Sequence, residues 1–287
     1  MSVGSRRIEI RVVALIAGLG LAGAVRGADA PRSAPLPSDN VTFRPTVIVV
    51  RGTSQGSGTV IASEPGETLV LTAAHVLEAE GRPSIEIHRY NLGLERRRPA
   101  EGWPKRVAAR VVALDRAADL AILRVDGFET MPFVARVAGT SDEPPTGAVV
   151  VSLGIDRGAQ LASWNTRVLD LALIDMEKGG GDRPFLLTEK FPDFGRSGGG
   201  LFQADGTVVG VCVGRAEVVR GRRVGIFASS QSIHRLLRES KLDVDVARSM
   251  ARRLPRPRGV ERTRGEAPTP DPPAPMPAPP RPGPTGR

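Results

Sequence analysis

Cysteine is almost absent from this chain: one residue, Cys212, in 287. A single thiol excludes an intramolecular disulfide framework and a cysteine-rich metal centre. Histidine is scarce as well, and the three present (His75, His88, His234) show no zinc-ligand spacing. Aromatic residues make up 4%, so a core must be assembled mainly from Val, Leu, Ile and Ala. No apolar run reaches the ~20 residues of a comfortable membrane-spanning helix; Val12 to Val25 stops at 14. There is no G-x-x-x-x-G-K-[ST] phosphate loop, and no internal repeat at the level of residue identity. Neither a metal nor an organic cofactor is expected.

The charge is one-sided, with 40 basic against 31 acidic residues, but it is confined to the ends. Residues 1–27 carry a net +3 and residues 251–287 a net +5, which leaves the body near +1. A nearly neutral body lacks the basic stripe of a nucleic-acid reader, so no nucleic-acid partner is expected.

Arg6, Arg7 and Arg11 followed by the short apolar run read as a secretory signal over 1–27, against the alternative of an uncleaved anchor. Its removal leaves no stable membrane span and implies export, to the periplasm or outside the cell. Residues 28–42 read as a linker. Residues 241–287 read as a helix end and a Pro/Arg-rich tail: 12 of the 25 prolines lie beyond position 250, where apolar residues are too few to offset ordering entropy. The plain reading is a solvated tail; the functional one is contact with an anionic envelope surface through its arginines.

Between these ends, short apolar or alternating runs are separated by turns. Thr46 to Val50 is one strand. Gly58 to Ala62 leads through Pro65-Gly66 into Thr68 to Leu71, a hairpin. Ser84 to Tyr90, Arg106 to Val112, Leu120 to Val125, Ala148 to Leu153, Thr166 to Ile174 and Thr207 to Val213 continue the series. The spacing predicts a sandwich or a pair of barrels. One helix is expected near the end, capped by Ser230, with Ile233, Leu236 and Leu237 on one face.

Three segments carry chemistry: Thr72-Ala73-Ala74-His75, Asp119-Leu120-Ala121-Ile122-Leu123, and Gly195-Arg196-Ser197-Gly198-Gly199. A serine hydroxyl is a weak nucleophile until a base lies within hydrogen-bond reach, and the base needs a carboxylate to hold its tautomer. Ser197 alone could be an ordinary loop serine. Asp115 competes with Asp119 but reads as a turn residue, and His88 and His234 read as surface residues. Taken together in this order, the segments resemble the histidine, aspartate and serine motifs of chymotrypsin-fold proteases, and most closely the bacterial HtrA-like, trypsin-like peptidases.

The resemblance covers about residues 43–240. It implies an all-β fold of two six-stranded antiparallel barrels with a C-terminal helix. It implies a serine endopeptidase with His75 as base, Asp119 as its orienter and Ser197 as nucleophile, and an oxyanion hole from the Gly195 and Ser197 N–H groups. The resemblance places substrate-binding residues at Phe191, Pro192, Val213, Gly214 and Ile226. Their apolar or small character predicts cleavage after small or medium apolar residues. Substrates would be extended or unfolded polypeptides lying along the Val211–Gly214 edge.

Two departures stand out. Arg196 replaces the aspartate that digestive members use to bind a newly cut N-terminus, so activation by trimming is not implied. A bulky cation beside the oxyanion hole also keeps open a non-catalytic peptide- or protein-binding module on a protease fold. No PDZ domain fits in the 47 residues after position 240. An esterase with the same triad is disfavoured, because the β-rich surroundings and the His, Asp, Ser order do not suit that fold.

Overall fold

A computed structural model describes residues 11–13, 41–94, 101–156, 160–177, 179–218 and 222–253. Most of the expected signal and linker, and the Pro/Arg tail beyond 253, lie outside the described residues. Along the chain run β1 (Arg11–Val13), β2 (Thr46–Arg51), β3 (Ser54–Glu64), β4 (Glu67–Ala73), β5 (Ser84–Ile87), β6 (Lys105–Ala108), β7 (Arg110–Asp115) and β8 (Leu120–Asp126). Then come β9 (Val149–Asp156), β10 (Gln160–Ile174), β11 (Arg183–Thr188), β12 (Gly200–Phe202), β13 (Val208–Val218) and β14 (Arg222–Ser229). Helices α1 (Ser230–Glu239) and α2 (Asp243–Arg253) follow.

The strands form two antiparallel sheets, ordered β6-β5-β2-β3-β4-β8-β7 and β1-β13-β12-β9-β10-β11-β14. The second closes into a barrel through β13–β14 pairing. The first does not, which corrects the expectation of two closed six-stranded barrels. The run expected as one strand, Arg106 to Val112, bends at Ala109 into β6 and β7. One pairs with β5 and the other with β8, and no ladder joins β6 to β7.

Period-two alternation sorts the apolar side chains into three clusters. Val70, Ala121 and Leu123 fill the first sheet's interior with Val47, Val49, Val60 and Ile85. Their neighbours Leu69, Leu71, Leu120 and Ile122 point the other way, into a cluster shared with Leu153, Phe185, Phe202 and Val211 of the second sheet. Cys212 lies inside the barrel with Val150, Leu186, Leu201 and Phe227. Its burial pushes the thiol pKa up to about 12, so it is inert packing.

Helix α1 buries Ile233, Leu236 and Leu237 in the shared cluster, as its periodicity predicts. Its cap differs from the expectation: Ser230 is the first helical residue, and the Glu143 carboxylate accepts from Gln231 N (3.2 Å) and Ser230 Oγ (2.8 Å). Helix α2 falls where a helix end and tail were expected. It is anchored by the buried Ser249 hydroxyl, which accepts from Ser63 N at 2.9 Å and donates to Ser63 O at 3.3 Å. No helix among the described residues is long and apolar enough to cross a membrane.

Candidate active site

His75 sits in a 310 turn, Ala74–Leu77, directly after β4. Asp119 ends the turn that links β7 to β8. Pairing of β4 with β8, Ala73 opposite Leu120, delivers the two turns side by side. Asp119 Oδ2 lies 2.5 Å from His75 Nδ1, and Oδ1 accepts the His75 backbone N–H at 2.9 Å. The Asp119 carbonyl accepts Ala74 N at 3.0 Å. Asp119 holds this pose at φ +52, a left-handed conformation that Asp and Asn tolerate better than most residues. Burial alone lowers the affinity of His75 for a proton. The hydrogen bond and charge of Asp119, helped by the charge of Glu78, outweigh it and raise the pKa above 6.5.

The Asp119 turn has its own support. Asp115 Oδ1 accepts Ala118 N at 3.1 Å, and Oδ2 accepts Arg183 Nε at 3.0 Å. Asp115 is therefore the buried partner of an arginine at the start of β11, a role its reading as a simple turn residue did not include. His88 and His234, read as surface residues, are both partly buried. His88 stacks on Tyr90 with centroids 5.3 Å apart. His234 Nε2 makes a 2.7 Å hydrogen bond with Ala138 O.

Ser197 arrives from the second sheet, just before β12. Its carbonyl accepts Ser57 N of β3 at 2.7 Å, and Gly198 N donates to Cys212 O at 2.8 Å. Gly198 is at φ +83, and a Cβ there would overlap Ser57 O and Thr72 Oγ1. The serine turn is thus pressed against β3 and the end of β4, where His75 follows. Only Gly56 separates the Ser197 carbonyl from Val76, the residue after His75. No hydrogen bond among the described residues joins Ser197 Oγ to the imidazole. Among the described residues, the N–H groups of Gly195 and Ser197 donate to no acceptor, and the Gly195 carbonyl is turned to Ser57 Oγ (2.9 Å). Ser57 Oγ also accepts Ile155 N at 2.9 Å.

Arg196 does not intrude on these N–H groups. Its side chain is fully buried. Nε and Nη2 donate to the two oxygens of Asp156 at 2.8 and 2.6 Å, and Nη1 donates to Ser152 O at 3.0 Å. Nothing in the sequence marks Asp156, Ser152 or Ser57 as site residues. Each acts through a hydrogen bond whose partner lies tens of positions away.

Phe191 is 40% exposed and Pro192 is buried. Val213 and Ile226 are buried in the shared core cluster. Phe194, next to Gly195, is 50% exposed and was not singled out by its motif. Val211 is already paired with Gly200, and Cys212 bonds to Gly198 and Gly199, so the free edge begins after Cys212 rather than at Val211. There the chain's own Arg11–Val13 forms β1, antiparallel to Arg215–Glu217.

Comparison with known proteins agrees with this geometry. The family model for the trypsin-like peptidase domain matches residues 56–211. Serine protease Do-like HtrA of Bacillus subtilis is 28% identical over 163 residues, 54% of this chain and 32% of that protein. A probable periplasmic serine endoprotease, DegP-like, of Chlamydia trachomatis is 29% identical over 182 residues, 61% and 31% of the two chains. The chain thus spans about a third of the length of these relatives. Among solved structures, the active form of the Rv3671c protease from M. tuberculosis superposes with a TM-score of 0.56 at 22% identity, over 77% of this chain and 93% of that one. The HtrA-type protease AlgW with tripeptide gives 0.53 at 18% identity, over 72% and 63%. With more than half of its residues inside the matched domain and the fold in common, the chain belongs to the trypsin-like peptidases.

Proposed function

We propose that this chain is an exported serine endopeptidase acting through His75, Asp119 and Ser197. The observation that carries the reading is the two-point grip of Asp119 on His75, one carboxylate oxygen on Nδ1 and the other on the backbone N–H. That grip fixes the tautomer with Nε2 unprotonated, the form able to take a proton from Ser197. The Ser197 oxygen attacks the peptide carbonyl carbon while its proton passes to Nε2. The carbonyl oxygen becomes an oxyanion held by the Gly195 and Ser197 N–H groups. A single such donor accounts for about 3–4 kcal/mol of barrier. His75 then gives the proton to the leaving amine, and water hydrolyses the acyl-enzyme with His75 as base again.

Substrates are extended or unfolded polypeptides. The support is the Arg215–Glu217 edge, which accepts Arg11–Val13 in the antiparallel manner that a substrate strand requires. The preference for small or medium apolar side chains rests on the apolar or small character of Phe191, Pro192, Val213, Gly214 and Ile226, of which Phe191 is exposed and the other four are buried. Export rests on the basic and apolar start of the chain and on the Chlamydia relative described as periplasmic. The Pro/Arg tail would hold the enzyme near an anionic envelope surface. The binding-module alternative drew its force from a cation beside the oxyanion hole, and the burial of Arg196 against Asp156 removes that premise.

Labelling with a fluorophosphonate probe tests the assignment. Wild-type protein is expected to react, and Ser197→Ala and His75→Ala to remain unlabelled while folded. Equal labelling of Ser197→Ala would place the nucleophile elsewhere.

A further inference from the structure

We propose that Arg196 is a positioning residue, and that its ion pair with Asp156 is an internal latch holding the Gly195–Ser197 turn in the shape the reaction needs. The proposal rests on the reading of Ser197 as nucleophile.

Arg196 lies between the two residues whose N–H groups face the oxyanion. Its side chain heads the fully buried residues by volume. A buried charge is costly unless paired and hydrogen-bonded, and even then an apolar side chain of similar volume usually gives equal or better stability. Packing therefore does not explain an arginine here. Directionality does. The guanidinium is a rigid planar fork, and all three of its nitrogens are engaged. Nε and Nη2 hold Asp156 Oδ1 and Oδ2 at 2.8 and 2.6 Å. Nη1 holds the Ser152 carbonyl at 3.0 Å and its hydroxyl at 3.3 Å. The guanidinium carbon stands 4.8 Å from the centroid of the Trp164 ring, closing one face.

Every one of these partners belongs to the β9–β10 ribbon, which pairs continuously from Val149–Arg167 to Gln160–Asp156. The fork thus ties Cα of residue 196 to a continuously hydrogen-bonded ribbon. The turn itself has no strand ladder, and its glycines at 195 and 198 sit at φ +92 and +83. Space for the fork is made by Gly154, where a Cβ would come within 2.8 Å of Arg196 Cγ. Both halves of the latch are side chains of the folded body, so it closes without any newly cut chain end.

The experiment uses the full chain carrying Arg196→Met, Arg196→Lys, Asp156→Asn or Arg196→Met with Asp156→Asn. Active sites are titrated, kcat and KM are measured on a small apolar tripeptide anilide, and affinity is measured for a tripeptide aldehyde that forms a tetrahedral adduct. Arg196→Met is expected to lower kcat at least 100-fold, with KM within threefold, and to weaken adduct affinity by a similar factor. Arg196→Lys, which keeps charge but loses the fork, recovers part of the rate. Asp156→Asn lowers kcat about tenfold or more, and the double variant is no worse than Arg196→Met alone. A purely structural arginine would lower Tm while leaving kcat per titrated site and adduct affinity within threefold of wild type, and that result overturns the proposal. Should Arg196→Met fail to fold, Asp156→Asn, nearly identical in shape, decides by the same criteria. Turnover by Ser197→Ala would bring down the underlying reading and this proposal with it. That failure is distinguishable because it shows in a variant with the latch intact.

Discussion

Asp119→Asn separates geometry from charge at the position where the structure makes both visible. Asn tolerates φ +52 about as well as Asp, so the backbone of the turn is retained. Its amide oxygen can take the place of Oδ1 and keep the 2.9 Å bond from His75 N. Its NH2 then faces Nδ1 where a carboxylate oxygen stood at 2.5 Å. An N–H donor there requires Nδ1 to accept, which puts the ring proton on Nε2. The imidazole can no longer take the Ser197 proton, and no anion is left to stabilise an imidazolium. The expected loss is about 10⁴-fold in kcat, equivalent to roughly 5–6 kcal/mol of barrier at about 1.4 kcal/mol per tenfold. Stability should change far less. One hydrogen bond is exchanged for another, so about 1 kcal/mol is at stake, or roughly 2–4 °C in Tm for a domain of this size. The assay pairs anilide turnover and fluorophosphonate labelling with a thermal melt. The group that most raises the His75 pKa is gone, so the acid limb of the residual activity also moves to lower pH. A folded Asp119→Asn variant within tenfold of wild-type kcat would refute the argument.

Other outcomes follow from the same geometry. Wild-type kcat/KM should fall on acidification through a pKa above 6.5, because His75 must be neutral to act as base. Glu78→Gln should shift that limb to lower pH without changing the alkaline plateau, read from a pH–rate profile. Gly198→Ala should cost about 2–5 kcal/mol in urea denaturation, combining ~1–2 for the left-handed backbone with ~1–3 for overpacking against Ser57 and Thr72. Asp115→Ala leaves Arg183 buried without its carboxylate and should destabilise by about 3–5 kcal/mol, with Asp115→Met/Arg183→Met recovering much of the loss. A chain starting at Ala28 should show a lower KM than the full chain at unchanged kcat, because Arg11–Val13 no longer competes for the Arg215–Glu217 edge; equal KM values would remove β1 as a competitor.

What was legible in the sequence was local. The β4 and β8 runs are strongly apolar, β4 ending two residues before His75 and β8 beginning directly after Asp119, so motif and strand could be read together. The hairpin at Pro65-Gly66 and the apolar stripe of α1 rest on turn chemistry and period, which are also properties of a few adjacent residues. The break at Ala109 was not legible, since nothing in Lys-Arg-Val-Ala-Ala-Arg-Val-Val interrupts a strand pattern. Helix α2 was hidden for a related reason. Its apolar residues are few, and its anchor is a serine hydroxyl meeting the backbone of Ser63, 186 positions earlier. The cap on α1 comes from Glu143, again far away in sequence.

The same distinction explains why the charges around the site were misjudged, and it says what they are for. Between the sheets, Leu69, Leu71, Leu120 and Ile122 meet Leu153, Phe185 and Val211 in an apolar seam. Such contacts hold two sheets together but are non-directional, and a slide of a fraction of an ångström costs them little. Catalysis is less forgiving, since a misplacement of about 1 Å can cost ~10²-fold in rate. The two turns that must meet are each fixed by polar bonds crossing from one sheet to the other. Asp115 reaches Arg183 beside the Asp119 turn. Ser57 reaches Gly195 and Ile155 beside the Ser197 turn. Hydrogen bonds are steep in distance and angle, so they supply the register that the apolar seam lacks. Arg196 fits this division of labour. Its charge could be read from the sequence as an obstacle, because the sequence shows its neighbours along the chain and not Asp156, 40 residues earlier, which turns it away from the N–H groups it would otherwise block.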